Sequence, residues 1–235
     1  MEVLAIILVG MVVVAGVVFA YLREQKRTEA LRQAAGAMGL QFEPKVDRSA
    51  DERFRRFAMF RRGHSRRAWN IMRGTVRCDG HDVRIEIGDF LYKITSGAGK
   101  NRRTQTYKFS YLVATNPVGV CPETIVRREG FFDRVKGVLG FDDIDFESVE
   151  FSRTFHVSSD DKRFAYDLID QGMMEFLLGD PPPAVEFDGD QICVSDGKRR
   201  WDASEIGGMV GWLGRMLERW PRHLRASMAE SGGES

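Results

Sequence analysis

Twenty consecutive residues, Val3 to Leu22, carry no charge, and thirteen of them are Val, Ile, Leu or Phe. At about 1.5 Å of rise per residue such a helix is about 30 Å long, the thickness of a bilayer's hydrocarbon core. The pattern predicts a transmembrane helix over residues 1–22. Polar positions enter at Arg23, and Arg23 to Met38 is rich in Ala, Arg, Glu and Gln. Gly39 closes that segment and Pro44 follows, which predicts a helical stalk and linker over 23–48.

From Trp69 the period falls to two. Asp82-Val83-Arg84-Ile85-Glu86-Ile87 alternates strictly, as a half-buried strand does. Asp79-Gly80 suits a type I′ turn, so 69–78 and 81–87 read as one hairpin. A second hairpin, 90–95 with 104–114, carries aromatics at 107, 109 and 111 on one face and flanks the loop 96–103. Further on, 124–129 and 150–157 read as strands and 131–139 as a short helix. Ser158 and Asp161 have capping-box spacing and open one amphipathic helix reaching 178, with apolar residues at 165, 168, 169, 173, 176 and 177. After prolines 181–183, residues 185–187 and 192–194 pair around Asp188-Gly189. Asp202 with Glu205 opens a last helix, 203–220, whose stripe is Ile206, Met209, Val210, Leu213, Leu217 and Trp220. Glycines 207, 208, 211 and 214 cost about 1 kcal/mol each in a helix interior. Their presence predicts another element approaching closely, with Trp212 and Trp220 as candidates for contact with a second subunit or the bilayer. The tail 226–235 is small and polar and reads as disordered. Together the periods predict an α+β fold: antiparallel hairpins in one or two sheets, covered by two amphipathic helices, in a domain spanning 49–225 with a sub-boundary near 140–150 left open.

Charge fixes how such a chain is mounted. Glu2 stands before the apolar run, and Arg23, Lys26, Arg27 and Arg32 stand after it. The positive-inside rule then places the N-terminus outside and the C-terminal domain in the cytoplasm. A cleaved signal peptide is the competing reading, with Val18-Phe19-Ala20 as its cleavage site, but Met-Glu-Val offers no positive n-region and the apolar run is too long. Gly16 and Ala20 form one small-xxx-small face, a weak pointer to helix pairing. Residues 1–120 hold 21 Lys and Arg against 11 Asp and Glu, whereas 121–235 hold 14 against 23. The basic half would rest against an anionic leaflet; the alternative is that the halves face each other within one fold. Cys78, Cys121 and Cys193 are isolated and odd in number, as suits a reducing compartment.

Candidate chemistry is sparse. Residues 53–67 hold seven arginines and no acid, with Phe54, Phe57 and Phe60 at every third position. Such a stretch can lie on lipid or grip a nucleic-acid backbone, or its phenylalanines can dock on the core while the arginines stay solvated. Docking is the plainest reading and lipid the next; a nucleic-acid partner is the weakest, because a tethered chain meets lipid first. The loop 96–103 places Lys100 after glycines, yet a P-loop needs a glycine five residues before the Gly-Lys pair and a Ser or Thr after it, and Ile94 and Asn101 stand there. It reads as a basic hairpin tip. The acidic run 141–147 lacks the glycine of an EF-hand loop and has Thr154 where the bidentate Glu belongs. Ser158, Ser159, Asp160 and Asp161 beside His156 read as a helix cap rather than a catalytic cluster. The four histidines have no metal-ligand spacing, and neither a GxSxG elbow nor a dinucleotide fingerprint occurs. No catalytic residue, metal ligand or cofactor is assigned. The candidate anion or lipid contacts are Arg61, Arg62, Arg66 and Arg67 with Lys100, Arg102 and Arg103.

The order Arg61-Arg62-Gly63-His64-Ser65-Arg66-Arg67-Ala68, then Gly88-Asp89-Phe90-Leu91-Tyr92, the Ser-Gly-Ala-Gly-Lys-Asn loop, and residues 140–148 running into Phe151 to Ser159 resembles a family of bacterial single-pass membrane proteins built on a domain of unknown function. The likeness covers most of residues 30–180. It implies a bacterial inner-membrane setting and assigns no residue a role. The expected function is a membrane-tethered binding or scaffold module, with the bilayer, anionic headgroups and an unidentified protein as partners. The alternative is an enzyme or ligand-binding protein for a phosphorylated or membrane-linked substrate, using the Gly97–Arg103 loop above a concave pocket.

Overall fold

One helix, α1 (Glu2–Ala37), runs unbroken from the apolar stretch into the domain in the computed structural model. The residues described are 2–128, 144–180, 182, 184–195, 197 and 199–232, without the side chains of 2–6, 100, 227 and 229–232. The expected helix 131–139 and the start of the acidic run lie outside them. The first part of α1 is bare: its large apolar residues from Ile7 to Leu22 are exposed. By length and composition it can cross a membrane. The last part is docked, with Leu31 and Ala35 buried in the core. Residues 23–38 are therefore no free stalk but one flank of the domain, because Leu31 and Ala35 stand four positions apart on one face of the helix and turn inward. Gly39 closes the helix in the left-handed region, φ 69°.

The domain is built on one antiparallel sheet of eight strands in the order β1-β2-β3-β4-β8-β7-β5-β6. Its strands are β1 (Gln41–Glu43), β2 (His64–Cys78), β3 (His81–Ser96), β4 (Arg103–Thr115), β5 (Cys121–Arg128), β6 (Phe155–Ser159), β7 (Ala184–Gly189) and β8 (Gln191–Ser195). The β2–β3 turn is as expected, with Asp79 and Gly80 both at positive φ. The two expected hairpins share one strand, however: β3 runs straight through Gly88. A glycine is needed there because the Tyr111 ring occupies the place a Cβ would fill, its hydroxyl 2.9 Å away.

Helices cover both faces. Toward α1 the sheet turns Ile85, Ile87, Leu112, Val126, Val185 and Val194, packed with α5 (Lys162–Leu168), α6 (Gln171–Gly179) and α7 (Ala203–Glu218). Against the other face, α2 (Ala50–Arg53) and α3 (Ala58–Arg61) bring Phe54, Phe57 and Phe60 onto Phe90, Phe109 and Tyr111. The Phe60 ring centroid is 4.7 Å from that of Phe90 and 5.0 Å from that of Tyr111. These phenylalanines are core, so the arginine stretch is no lipid-lying amphipathic helix.

Local capping decided two further departures, and a further helix is a third. Residues 149–154 form α4 (Val149–Thr154), with Ser148 accepting from the Phe151 N–H, and the strand begins only at Phe155. The single helix expected to 178 is broken in two because Asp170 accepts from the Met173 N–H at 2.8 Å and caps α6, as Asp161 caps α5. Beyond Pro221, α8 (Arg222–Gly232) replaces the expected tail over 226–232 and brings Met228 into the core. The capping box at Asp202 and Glu205 is present. Nothing lies within 4 Å of a Cβ built at Gly207 or Gly208, so no close approach explains these glycines. Trp212 and Trp220 are buried and face neither bilayer nor partner.

Candidate functional site

From Val83 to Leu91 the residues of β3 on the α1 side are apolar except one, Asp89, which is 1% exposed. Arg27 of α1 grips it through two bonds, Nη2 to Oδ1 at 2.8 Å and Nε to Oδ2 at 3.1 Å. Ser110 Oγ donates at 2.8 Å and Asn70 Nδ2 at 3.2 Å. Asn70 reaches it from a bulge in β2, held at φ 52°, a conformation asparagine tolerates better than most residues. Its Oδ1 accepts in turn from Thr28 of α1. One helical turn nearer the apolar stretch, Glu24 accepts from Arg200 at 2.6 Å and from Trp69 Nε1 at 3.3 Å. Burial raises the Glu24 pKa, but the Arg200 hydrogen bond and charge, then Trp69 and Arg27, bring it below the ordinary carboxylate value. Arg200 also lies 3.7 Å from Asp89. Bidentate, hydrogen-bonded pairs of this kind hold a geometry because breaking one side strands a buried charge. The network locks α1 onto the sheet.

The same register shows where the charges lie. Arg67 pairs with Leu91, and Leu91 with Lys108, so these three form one row across β2, β3 and β4. Beyond that row lie Lys93, Arg103 and the 96–103 tip. The pairs Tyr111–Ser195, Val194–Val185 and Val185–Val126 carry the same end of the sheet to Arg127 and Arg128. The opposite end carries Asp79, Asp82, Asp188 and Asp190, together with Arg77 and Arg84. α1 leaves the domain at the basic end. There an open groove of about 610 Å³ lies between helix and sheet, with walls from Phe19, Ala20, Trp69, Leu91, Arg67 and Lys108.

The residues singled out in the sequence part company here. Arg61 pairs with Glu123 at 3.5 Å and Arg66 with Asp51 at 2.7 Å, while Arg62 lies over the Tyr92 ring at 5.5 Å. Of the four, only Arg67 lines the groove. Arg102 and Arg103 are exposed at the hairpin tip, and the Lys100 side chain is outside those described. The tip turns tightly: at Gly97, φ 83°, a Cβ would collide with the Asn101 carbonyl. Residues 96–103 line neither this groove nor the clefts around Arg53 and Glu86, Arg27 and Asp202, or Asp47 and Ile71. The cleft expected beneath the loop is not found among them. Sequence reasoning missed Asp89, Asn70, Ser110, Lys108 and Arg200. One signal was readable: an aspartate in the apolar register of Ile85, Ile87 and Leu91.

A second buried carboxylate, Glu186 on β7, is treated differently. Its Oε2 accepts from the Ala58 N–H at 2.7 Å, at the start of α3. Burial raises its pKa to about 7 and neighbouring Glu123 pushes the same way, against the backbone donors at Ala58 and Met59 and the charge of Arg61.

No family model and no curated protein matches the chain. A solved structure does: the crystal structure of the mycobacterial trehalose monomycolate transport factor A, TtfA, superposes with a TM-score of 0.53 at 14% identity, covering 82% of this chain and 90% of that one. At that identity the likeness is one of fold, and it extends over nearly the whole domain.

Proposed function

We propose that this protein is a membrane-tethered binding module that works at the bilayer surface, with the basic end of its sheet turned to the headgroups. The observation that carries this reading is the continuity of α1. An apolar stretch long enough to span a bilayer passes without a hinge into a segment locked to the sheet through Asp89 and Glu24. A tether of that kind fixes distance and orientation as well as raising local concentration. In this reading the domain lies in the cytoplasm of a bacterial cell, on the inner membrane, an orientation that the basic residues after the span support. There an anionic leaflet attracts Arg67, Arg103, Lys108 and Arg128. The fold neighbour is named for trehalose monomycolate transport, and a module mounted this way suits an accessory role in transport: one helix by itself encloses no path across a membrane.

The test is a depth measurement on the full chain reconstituted in nanodiscs, with a fluorophore on K108C or on D82C and lipid-borne quenchers. The label at 108 is expected at headgroup depth and quenched strongly, the label at 82 remote. Equal quenching at both positions would rule the orientation out.

A further inference from the structure

We propose that the groove between α1 and the β2–β3–β4 row holds one phospholipid with an anionic headgroup, its phosphate between Arg67 and Lys108 and its acyl chains along the Phe19 and Ala20 side of α1. The inference rests on α1 spanning the bilayer, and three observations carry it further. The first is position. One wall of the groove, Phe19 and Ala20, belongs to the apolar stretch, and the other, Arg67, Leu91 and Lys108, is a strand row of the folded domain. A soluble anion would leave the apolar wall wet, whereas a lipid covers both.

The second is spacing. Neighbouring strands lie about 4.8 Å apart, so Arg67 and Lys108 flank Leu91 at about 10 Å between Cα atoms, pointing to one face. Two long cationic side chains at that separation can close on a single phosphate above an apolar floor. The third is charge. Among the described residues, Arg61 and Arg66 have carboxylate partners, but Arg23, Arg67 and Lys108 have none within ion-pair distance. The one acid of the groove, Glu24, is already occupied by Arg200 and Trp69. The net charge that faces a ligand is positive. At about 610 Å³ the groove falls within the usual range of ligand sites.

The experiment is native mass spectrometry of the full chain released from nanodiscs holding phosphatidylglycerol and phosphatidylcholine in equal amounts. One retained phosphatidylglycerol per chain is expected. R67A with K108A should lower its retention at least tenfold with no change in thermal midpoint, since neither side chain has an ion pair to lose. R102A with R103A, at the hairpin tip, should retain it as the wild type does. Equal retention of the two lipids, or loss in the tip variant alone, would overturn the proposal. So would displacement of the lipid by millimolar inorganic phosphate, which would make the groove a site for the free anion. Because the depth measurement above does not depend on retained lipid, the groove can fail while the orientation stands, or the orientation fail on its own.

Discussion

Asp89 and Glu186 are both almost fully buried in the same sheet, yet their surroundings have opposite character. Asp89 faces α1 and accepts from the Arg27 guanidinium, an amide and a hydroxyl, with the Arg200 guanidinium 3.7 Å away. Glu186 faces α3 and meets backbone N–H groups, with Glu123 near and the Cys193 thiol paired beside it across the β7–β8 ladder. A short backbone cap neutralises far less charge than a bidentate arginine, so burial dominates at Glu186. The molecule thus fastens α1 with an arginine–aspartate pair and fastens α3 with a group poised to take a proton near neutral pH.

The comparison breaks most readily at Arg27. R27A leaves Asp89 buried without its bidentate partner and should cost about 3 to 5 kcal/mol, read by chemical denaturation of the full chain in detergent. A loss below about 1 kcal/mol would show that Arg200 and Ser110 suffice.

At Glu186 the sign follows from a folded-state pKa of about 7 above an ordinary value of 4.5. Its contribution is full below pH 4.5 and falls as the pH rises through 7, by about 3 kcal/mol in all. E186Q keeps an acceptor for Ala58 and carries no charge. It should match the wild type near pH 4 and exceed it near pH 8, as stability curves at the two pH values will show.

Next in size is R200A, which removes the 2.6 Å bond to Glu24 and leaves Arg27 on Asp89. Glu24 is partly exposed, so the cost should be near 1 kcal/mol, a third or less of that of R27A in the same assay. The smallest effect belongs to E123Q. Removing that neighbouring charge lowers the Glu186 pKa, because Glu123 raises it, and the pH at which the stability slope levels off should drop.

Much of the fold was legible because its causes are local. Asp79-Gly80 dictates a turn with two positive φ values, Asp202 with Glu205 dictates a capping box, and the aromatics at 107, 109 and 111 share the face that packs on α3. Where prediction failed, a second local signal competed: Asp170 capped a new helix inside an apolar stripe, and Ser148 started one where a strand over 150–157 was expected. Gly88, which fell between the two expected hairpins, is a place cleared for the Tyr111 ring. The arginine stretch was legible only in part, since its phenylalanines are core as their spacing allowed, but which arginines keep a partner depends on Asp51 and Glu123, the latter far away in sequence.

By itself the sequence determined that this chain carries a span-length apolar helix, a basic first half and an acidic second half, an antiparallel α+β pattern, and none of the common catalytic or metal motifs. Those properties are sums or short-range periods, and a linear string holds them completely. The tertiary structure alone decided that the apolar helix continues unbroken into the domain and that charge is sorted by strand end as well as by half of the chain. It also decided that Arg67 and Lys108, forty-one positions apart, stand in one row with Leu91 between them. Register across strands sets such neighbours, and register is fixed by long-range packing that no single stretch of the chain encodes.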